Sequence, residues 1–371
     1  MPVSSTETDD RPTTDPVDWG TARRVARTFS GRVPLADSYL HDTLESDFVA
    51  LTAEAESMVA EFTGLEAPGR ARGGVVDRHG WIDANLDSMR RLLLPFVERL
   101  GGRVSNTPLA PVGKHAAGGE MGVLLGYMSQ RVLGQYDLLV PEEAGVGDVV
   151  YYVGPNVLTL EKRFAFRPRD FRRWIAIHEL THRAQFTAVP WMRPYFMSLV
   201  ERTFDMVEPD PRVLVRAIAR AAEALSRGRS PFDEAGLLGL FASDEQRLVL
   251  ADVQALMSLL EGHGNYVMNA LGREHVHGVE RMERVLQARR EVKGISGQFQ
   301  KMIGIEMKLR QYELGESFLD AVVERAGIDA ISAAWESPEA LPTLDELHEP
   351  MRWLDRTSGT SVSVRATRRR R

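Results

Sequence analysis

His178 and His182 stand four residues apart in Trp174-Ile-Ala-Ile-His-Glu-Leu-Thr-His-Arg-Ala-Gln-Phe186. The apolar pattern of this stretch predicts a helix, so both imidazoles project from one face. Glu179 follows the first of them directly. Two neutral imidazoles and a carboxylate can hold zinc and leave a fourth position for water, whose pKa falls to about 7 when bound there. An adjacent carboxylate that is not itself a ligand can take the proton of that water, which gives Glu179 the part of general base in an H-E-x-x-H arrangement. With 9 histidines in 371 residues, chance gives roughly 0.02 such patterns, so the surroundings of the motif decide its weight. Trp174, Ile175, Ile177, Leu180 and Phe186 give the segment a buried character, and Asp170 supplies a start signal. The competing account is a surface helix with two incidental histidines. Burying His, Glu and His together without partners is costly, and that weighs against it.

A third ligand must come from elsewhere, and a chain without cysteine restricts it to His, Asp or Glu. The apolar stripe Val249, Val253, Leu256, Leu260, Gly264 and Val267 marks a long helix from Ser243, where Gln246 completes a capping-box pattern. Within it, Ser258-Leu-Leu-Glu-Gly-His-Gly-Asn-Tyr-Val-Met268 interrupts a greasy run with an acid, a histidine and two glycines. Glycine inside a helix costs about 1 kcal/mol relative to alanine, so Gly262 and Gly264 suggest a close neighbour, for which the helix of His178 is the natural candidate. Glu261 would complete a set with His178 and His182, and Asn265, one turn later on the same face, could hydrogen-bond a ligand imidazole from behind. His263 is the rival ligand. It diverges from Glu261 by about 200° around the helix, so the two do not hold one ion together. Tyr195 and Tyr266 are candidates to steady an oxyanion.

The elements that must position these residues are mostly helical, and the expected fold class is mainly α with a small β-sheet. Residues 1 to 16 are rich in Ser, Thr, Asp and Pro and are expected to be disordered, as is the basic tail from 358 to 371. Between them, 17 to 357 read as a single domain, helical to about 145 and carrying the metal site after that. Helices are expected at Trp19 to Phe29, about Asp37 to Phe62 and about Asp83 to Leu100. A glycine-studded helix from Gly118 to Tyr136 follows, its Gly118, Gly122 and Gly126 read as close packing in a soluble core, not as a membrane seam. Asp148 to Val153 is the best strand candidate, either an edge that pairs with an extended peptide or a short structural strand. Past the first histidine helix, helices are expected at Pro190 to Val207, Pro211 to Ser226, Val279 to Arg290 and Gly304 to Ala326, with a short closing segment from Ala340 to Arg356. The His275 and His277 pair reads as part of a solvated turn.

A net charge of -6 gives no global attraction to nucleic acid or to anionic membranes. No apolar run of membrane length and no signal-peptide layout is present, so the default address is the cytoplasm, and the expected partner is a peptide or protein substrate. Zero cysteines exclude disulfides and thiolate chemistry.

The phrases HELTHRAQF, LLEGHGNYVM, LGYMSQRVLGQYD, VDRHGWIDANLDSM and GIEMKLRQYELGESFLDAVV, within about Val17 to Arg356, resemble a type 2 family of actinobacterial zincin-like metallopeptidases associated with deazaflavin coenzyme biosynthesis genes. The resemblance implies a gluzincin-like zinc metallopeptidase fold, zinc on His178 and His182 with Glu261 as third ligand, and Glu179 as catalytic base. It implies no substrate. Asn265 departs from the family pattern, where an acid is common, and a neutral amide orients an imidazole less strongly. Two function classes follow: a zinc-dependent hydrolase acting on peptide bonds, and a catalytically silent zincin-fold binding or scaffold protein that keeps a structural metal. An intact Glu179 favours the first, because a structural site closes its fourth position and needs no base.

Overall fold

The structure, a computed structural model, describes residues 17–33, 35, 38–100, 110–138, 149–205, 244–290 and 305–358. The expected helix from Pro211 to Ser226, the Ser243 cap, the N-terminal tail and the C-terminal tail from 359 onward lie outside these residues, whereas Ser358, expected in that tail, continues a helix. The described elements begin with α1 (Trp19–Phe29), α2 (Leu44–Thr63), β1 (Arg72–Val76), α3 (Arg78–Leu100), α4 (Ala110–Ser129), β2 (Gly134–Tyr136) and β3 (Val149–Val153). They continue with α5 (Gly154–Phe164), α6 (Pro168–Thr187), α7 (Met192–Asp205), α8 (Asp244–His275), α9 (Val279–Arg290), α10 (Ile305–Ala326) and α11 (Leu344–His348). Contacts divide the chain into two units, Met1–Val33 with Asp77–Val132, and Pro34–Val76 with Leu133–Arg371.

In the first unit, Asp18 caps α1 by accepting the Thr21 N–H at 2.9 Å. The glycines of α4 face α1: a Cβ at Gly122 would meet the Ala22 carbonyl at 2.6 Å, and one at Gly126 the Ala26 carbonyl at 2.6 Å. The four-residue spacing therefore serves backbone approach between two helices, and no described helix is long and apolar enough to cross a membrane. The glycine-studded helix stops at Ser129, short of the expected Tyr136. Ser129 Oγ donates to the Gly126 carbonyl at 2.8 Å, a side-chain donor taking an acceptor at the helix end.

The second unit holds a three-stranded sheet in the order β1-β3-β2, with β1 parallel and β2 antiparallel to β3. The strand read as a possible peptide-binding edge is thus the central one, because both of its sides are already paired. Helix α5 also intervenes between β3 and α6. Strand β1 escapes a sequence reading because Arg-Gly-Gly-Val-Val has weak strand character. Its Gly73 is required by packing, since a Cβ there would lie 3.1 Å from both the Phe48 carbonyl and the Tyr152 ring. Helix α2 buries Leu44, Phe48, Leu51, Ala55 and Val59 on one face, and Phe48 stacks on Tyr152 with ring centroids 3.8 Å apart.

Helix α6 is clamped along α2 by two buried cations, Arg172 and Arg183, and a half-buried one, Arg173. Arg172 pairs with Asp47 at 2.6 Å and with Glu161 of α5 at 2.8 Å, Arg173 with Glu54 at 2.9 Å, and Arg183 with Glu56 at 2.6 Å. Buried guanidinium groups are tolerated only when paired, so these contacts fix how α6 is rotated. On its other side α6 packs against α8, which in turn packs against α10. The two α8 glycines serve different neighbours. Gly264 faces α6, whereas a Cβ at Gly262 would collide with the backbone of Gly315 in α10, so the expectation that both mark one crossing is corrected. Residues two apart on a helix point about 200° apart, which is why one crossing cannot use both. The closing segment is anchored by Trp353, whose Nε1 donates to the Ala340 carbonyl at 2.8 Å, and by a Thr343–Glu346 capping box that opens α11.

Candidate metal centre

The α6 helix brings the His178 and His182 rings to a centroid distance of 4.6 Å, edge to face at 85°. Their Nε2 atoms are 3.2 Å apart, and Glu261 Oε2 of α8 lies 3.5 Å from His182 Nε2 and 3.8 Å from His178 Nε2. Zinc bonds of about 2.0–2.2 Å at tetrahedral angles place ligand atoms roughly 3.4 Å from each other, so this triangle has the size that one ion requires. Among the described residues, these three form the group able to share a metal. Gly264 makes room for them, since a Cβ there would stand 3.1 Å from His182 Cε1 and 3.2 Å from His178 Cε1. Burial alone pulls the His182 imidazole down, yet the hydrogen bond and charge of Glu261, the charge of Glu179 and the Gln185 amide outweigh it and raise the ring above the usual histidine value. The pocket therefore favours positive charge, the electrostatic condition for a cation as well as for a proton.

Behind the triangle stands a residue that the motif reading missed. Gln185, fully buried, takes His182 Nδ1 at 2.9 Å through Oε1, while its Nε2 donates to the Leu260 carbonyl at 3.0 Å and contacts His263 Nδ1 at 3.0 Å. His263 is thus turned away from the metal position, toward Gln185 and the Trp335 ring at 5.1 Å. Burial, aided by the His182 charge, pushes it down to about 3, so it stays neutral and keeps a lone pair for the Gln185 amide. The signal in the sequence was the i, i+3 spacing of His182 and Gln185, which puts both on one helical face.

Glu179 points elsewhere. Its Oε2 accepts the backbone N–H of Tyr136 at 3.2 Å, and a Cβ at Gly134 would lie 2.6 Å from its Cγ, so β2 rests directly on this carboxylate. Leu133 and Asp137 bond to β3 through the Val153 N–H and the Val149 carbonyl. By strand alternation, Gly134 and Tyr136 direct their backbone groups to the opposite edge, where Glu179 meets them. Arg193 of α7 donates to the Tyr136 hydroxyl at 2.8 Å.

The remaining candidates are not drawn to the triangle. Asn265 is 2% exposed, and neither of its amide atoms hydrogen-bonds among the described residues, so the part expected of it behind an imidazole falls to Gln185, which reaches His182 from within α6. Tyr195 is raised by burial and by the charge of Asp252, and Tyr266 by burial and by Asp320 of α10. Among the described residues, no hydrogen bond or ring contact links either tyrosine to His178, His182 or Glu261.

A family model described as zincin-like metallopeptidase matches residues 17–354. The chain belongs to that family. A crystal structure from Chloroflexus aurantiacus, described as a candidate hydrolase with a novel fold, is similar at 30% identity with a TM-score of 0.66, covering 92% of this chain and 99% of that one. No curated protein matches. The family model takes in α2, the sheet, α6 and α8 together, so the clamp and both helices of the candidate metal site fall inside the matched region.

Proposed function

We propose that the protein is a zinc-dependent hydrolase of peptide bonds, with His178 Nε2, His182 Nε2 and Glu261 Oε2 as the metal's protein ligands. The observation that carries this reading is the triangle of 3.2, 3.5 and 3.8 Å, from which Glu179 stands apart on the edge of β2. Zinc, when bound there, supplies Lewis acidity that polarises a carbonyl and lowers the pKa of water to about 7. Glu179, held at one oxygen by the Tyr136 N–H, accepts the proton that water loses on attacking the carbonyl carbon and returns it to the amine as the C–N bond breaks. Water thus ends divided between the new carboxylate and the amine. Glu179 already takes the Tyr136 N–H, but by strand alternation the Gly134 backbone faces the same edge of β2, and this supports an extended peptide as substrate that would pair beside the carboxylate.

The test pairs metal analysis with digestion of an unbiased peptide library. About one zinc per chain is expected, with loss on His178→Ala or His182→Ala. Glu179→Gln should keep zinc content and unfolding temperature near wild type, while hydrolysis falls ~10²-fold or more. If the parent takes up no zinc and gains no thermal stability from it, the proposal is wrong. A parent that binds zinc but cleaves no peptide would shift the assignment to a scaffold with a structural metal.

A further inference from the structure

The amide of Gln185 makes its contacts in an order that leaves one solution for the protons. The Leu260 carbonyl can only accept, so the atom facing it at 3.0 Å must be the NH₂ of Gln185. Oε1 therefore faces His182 Nδ1 at 2.9 Å and can only accept from it, so Nδ1 carries the hydrogen. A neutral imidazole has one N–H, and His182 Nε2 is left with its lone pair directed toward His178 and Glu261, 3.2 and 3.5 Å away. The second amide hydrogen points at His263 Nδ1, which must accept, and that places the His263 proton on Nε2. Leu260 immediately precedes Glu261, so the same amide also ties α6 to the turn of α8 that carries the carboxylate.

We propose that Gln185 is a positioning residue for the metal site: it sets His182 in the Nδ1–H tautomer and locks α6 to α8, so the ligand triangle is formed before a metal arrives. His263 serves it as the acceptor that keeps the amide from turning over. This rests on the metal-site reading above for its purpose, but not for its geometry. A glutamate at 185, often the better partner for a ligand histidine, is the wrong residue here, because a carboxylate has no hydrogen for the Leu260 carbonyl or for His263.

The decisive measurement needs no metal. Long-range proton–nitrogen spectra of the metal-free full chain, labelled with ¹⁵N-histidine and held at a pH high enough that the raised His182 ring is also neutral, report which nitrogen of each ring bears hydrogen. His182 is expected as Nδ1–H and His263 as Nε2–H, and an Nε2–H or evenly mixed His182 overturns the assignment whatever zinc does. In Gln185→Leu the preference of His182 should fade and the zinc Kd should rise ~10- to 100-fold. Gln185→Glu should also bind zinc more weakly than wild type; equal or tighter binding would refute the part given to the amide hydrogens. If wild type shows the expected tautomers but takes up no zinc, the metal reading fails and the proton assignment stands. If Gln185→Leu does not fold, the wild-type spectra still decide.

Discussion

Among the described residues, glycines line helix seams in both units, and they do different work. In the first unit, Gly118, Gly122 and Gly126 of α4 repeat every four residues, and their neighbours are the backbone of Asp18, Ala22 and Ala26 and the side chains of Val25 and Phe29. In the second unit, α8 carries Gly262 and Gly264 only two apart, and they face opposite ways, one to the Gly315 backbone and the other to two imidazoles. A regular glycine stripe with backbone across from it is an apparatus for close packing. An isolated glycine opposite polar rings is room kept for chemistry.

Alanine substitutions can break or sharpen that contrast. The largest effect is expected at Gly315, whose added methyl would run into the Ser258 carbonyl, part of a helix that cannot move aside. Gly315→Ala should cost about 3 kcal/mol or more, and Gly122→Ala, meeting Ala22 O at 2.6 Å and Val25 Cβ at 2.7 Å, about 2 kcal/mol. Denaturant midpoints measure both. Gly122→Ala should leave zinc affinity unchanged, and a loss of zinc there would erase the distinction between the two seams.

Gly264→Ala makes the opposite pairing of effects. Its contacts are ring atoms at 3.1–3.3 Å, which can yield by a few tenths of an ångström, so the unfolding midpoint should move little. The rings that yield are the proposed ligands, and zinc affinity should fall about tenfold, or about 1.4 kcal/mol, in a chelator competition. Unchanged affinity with lowered stability would make Gly264 one more packing glycine.

The smallest effect belongs to a place apart from either seam. Glu346 is opposed by burial, but the Arg356 hydrogen bonds, the Thr343 N–H and the Arg356 charge outweigh it and hold the carboxyl below the usual glutamate value. A lowered folded pKa means stability that is present above about pH 4.3 and lost as pH falls through the depressed value. Glu346→Gln should therefore cost about 1 kcal/mol at neutral pH, with the difference from wild type closing in acid. A gap that stays constant down to low pH would assign the cost to shape and not to charge.

Local pattern made much of this legible. Helices α1 and α9 and strand β3 announce themselves by apolar spacing or by the Val-Val-Tyr-Tyr-Val run, and the histidine helix by the pattern from Trp174 to Phe186. Pairing between distant segments was not legible. Nothing within β3 says that β1 and β2 flank it, and Gly134-Gln135-Tyr136 reads as the end of a helix until its partner strand is known. Gln185 shows the same limit at the scale of one side chain, for its part depends on the Leu260 carbonyl and on His263, which lie 75 and 78 residues away in sequence. A motif names the atoms that do chemistry. It does not name the amide that orients them, because orientation is a tertiary property.

The arginine clamp on α6 carries a consequence for how this chain can change length over evolution. Arg172 and Arg183 bracket the histidines, and their partners Asp47 and Glu56 sit at the two ends of a stretch of α2 that supplies no ligand. Inserting or deleting one residue between those acids would turn one of them by about 100° and shift it about 1.5 Å along the helix, pulling one buried guanidinium out of register. Point substitutions on the exposed side of α2 would leave the clamp intact. The spacing in α2 is therefore under the same constraint as the spacing of His178 and His182, although none of the three residues at the metal position comes from α2.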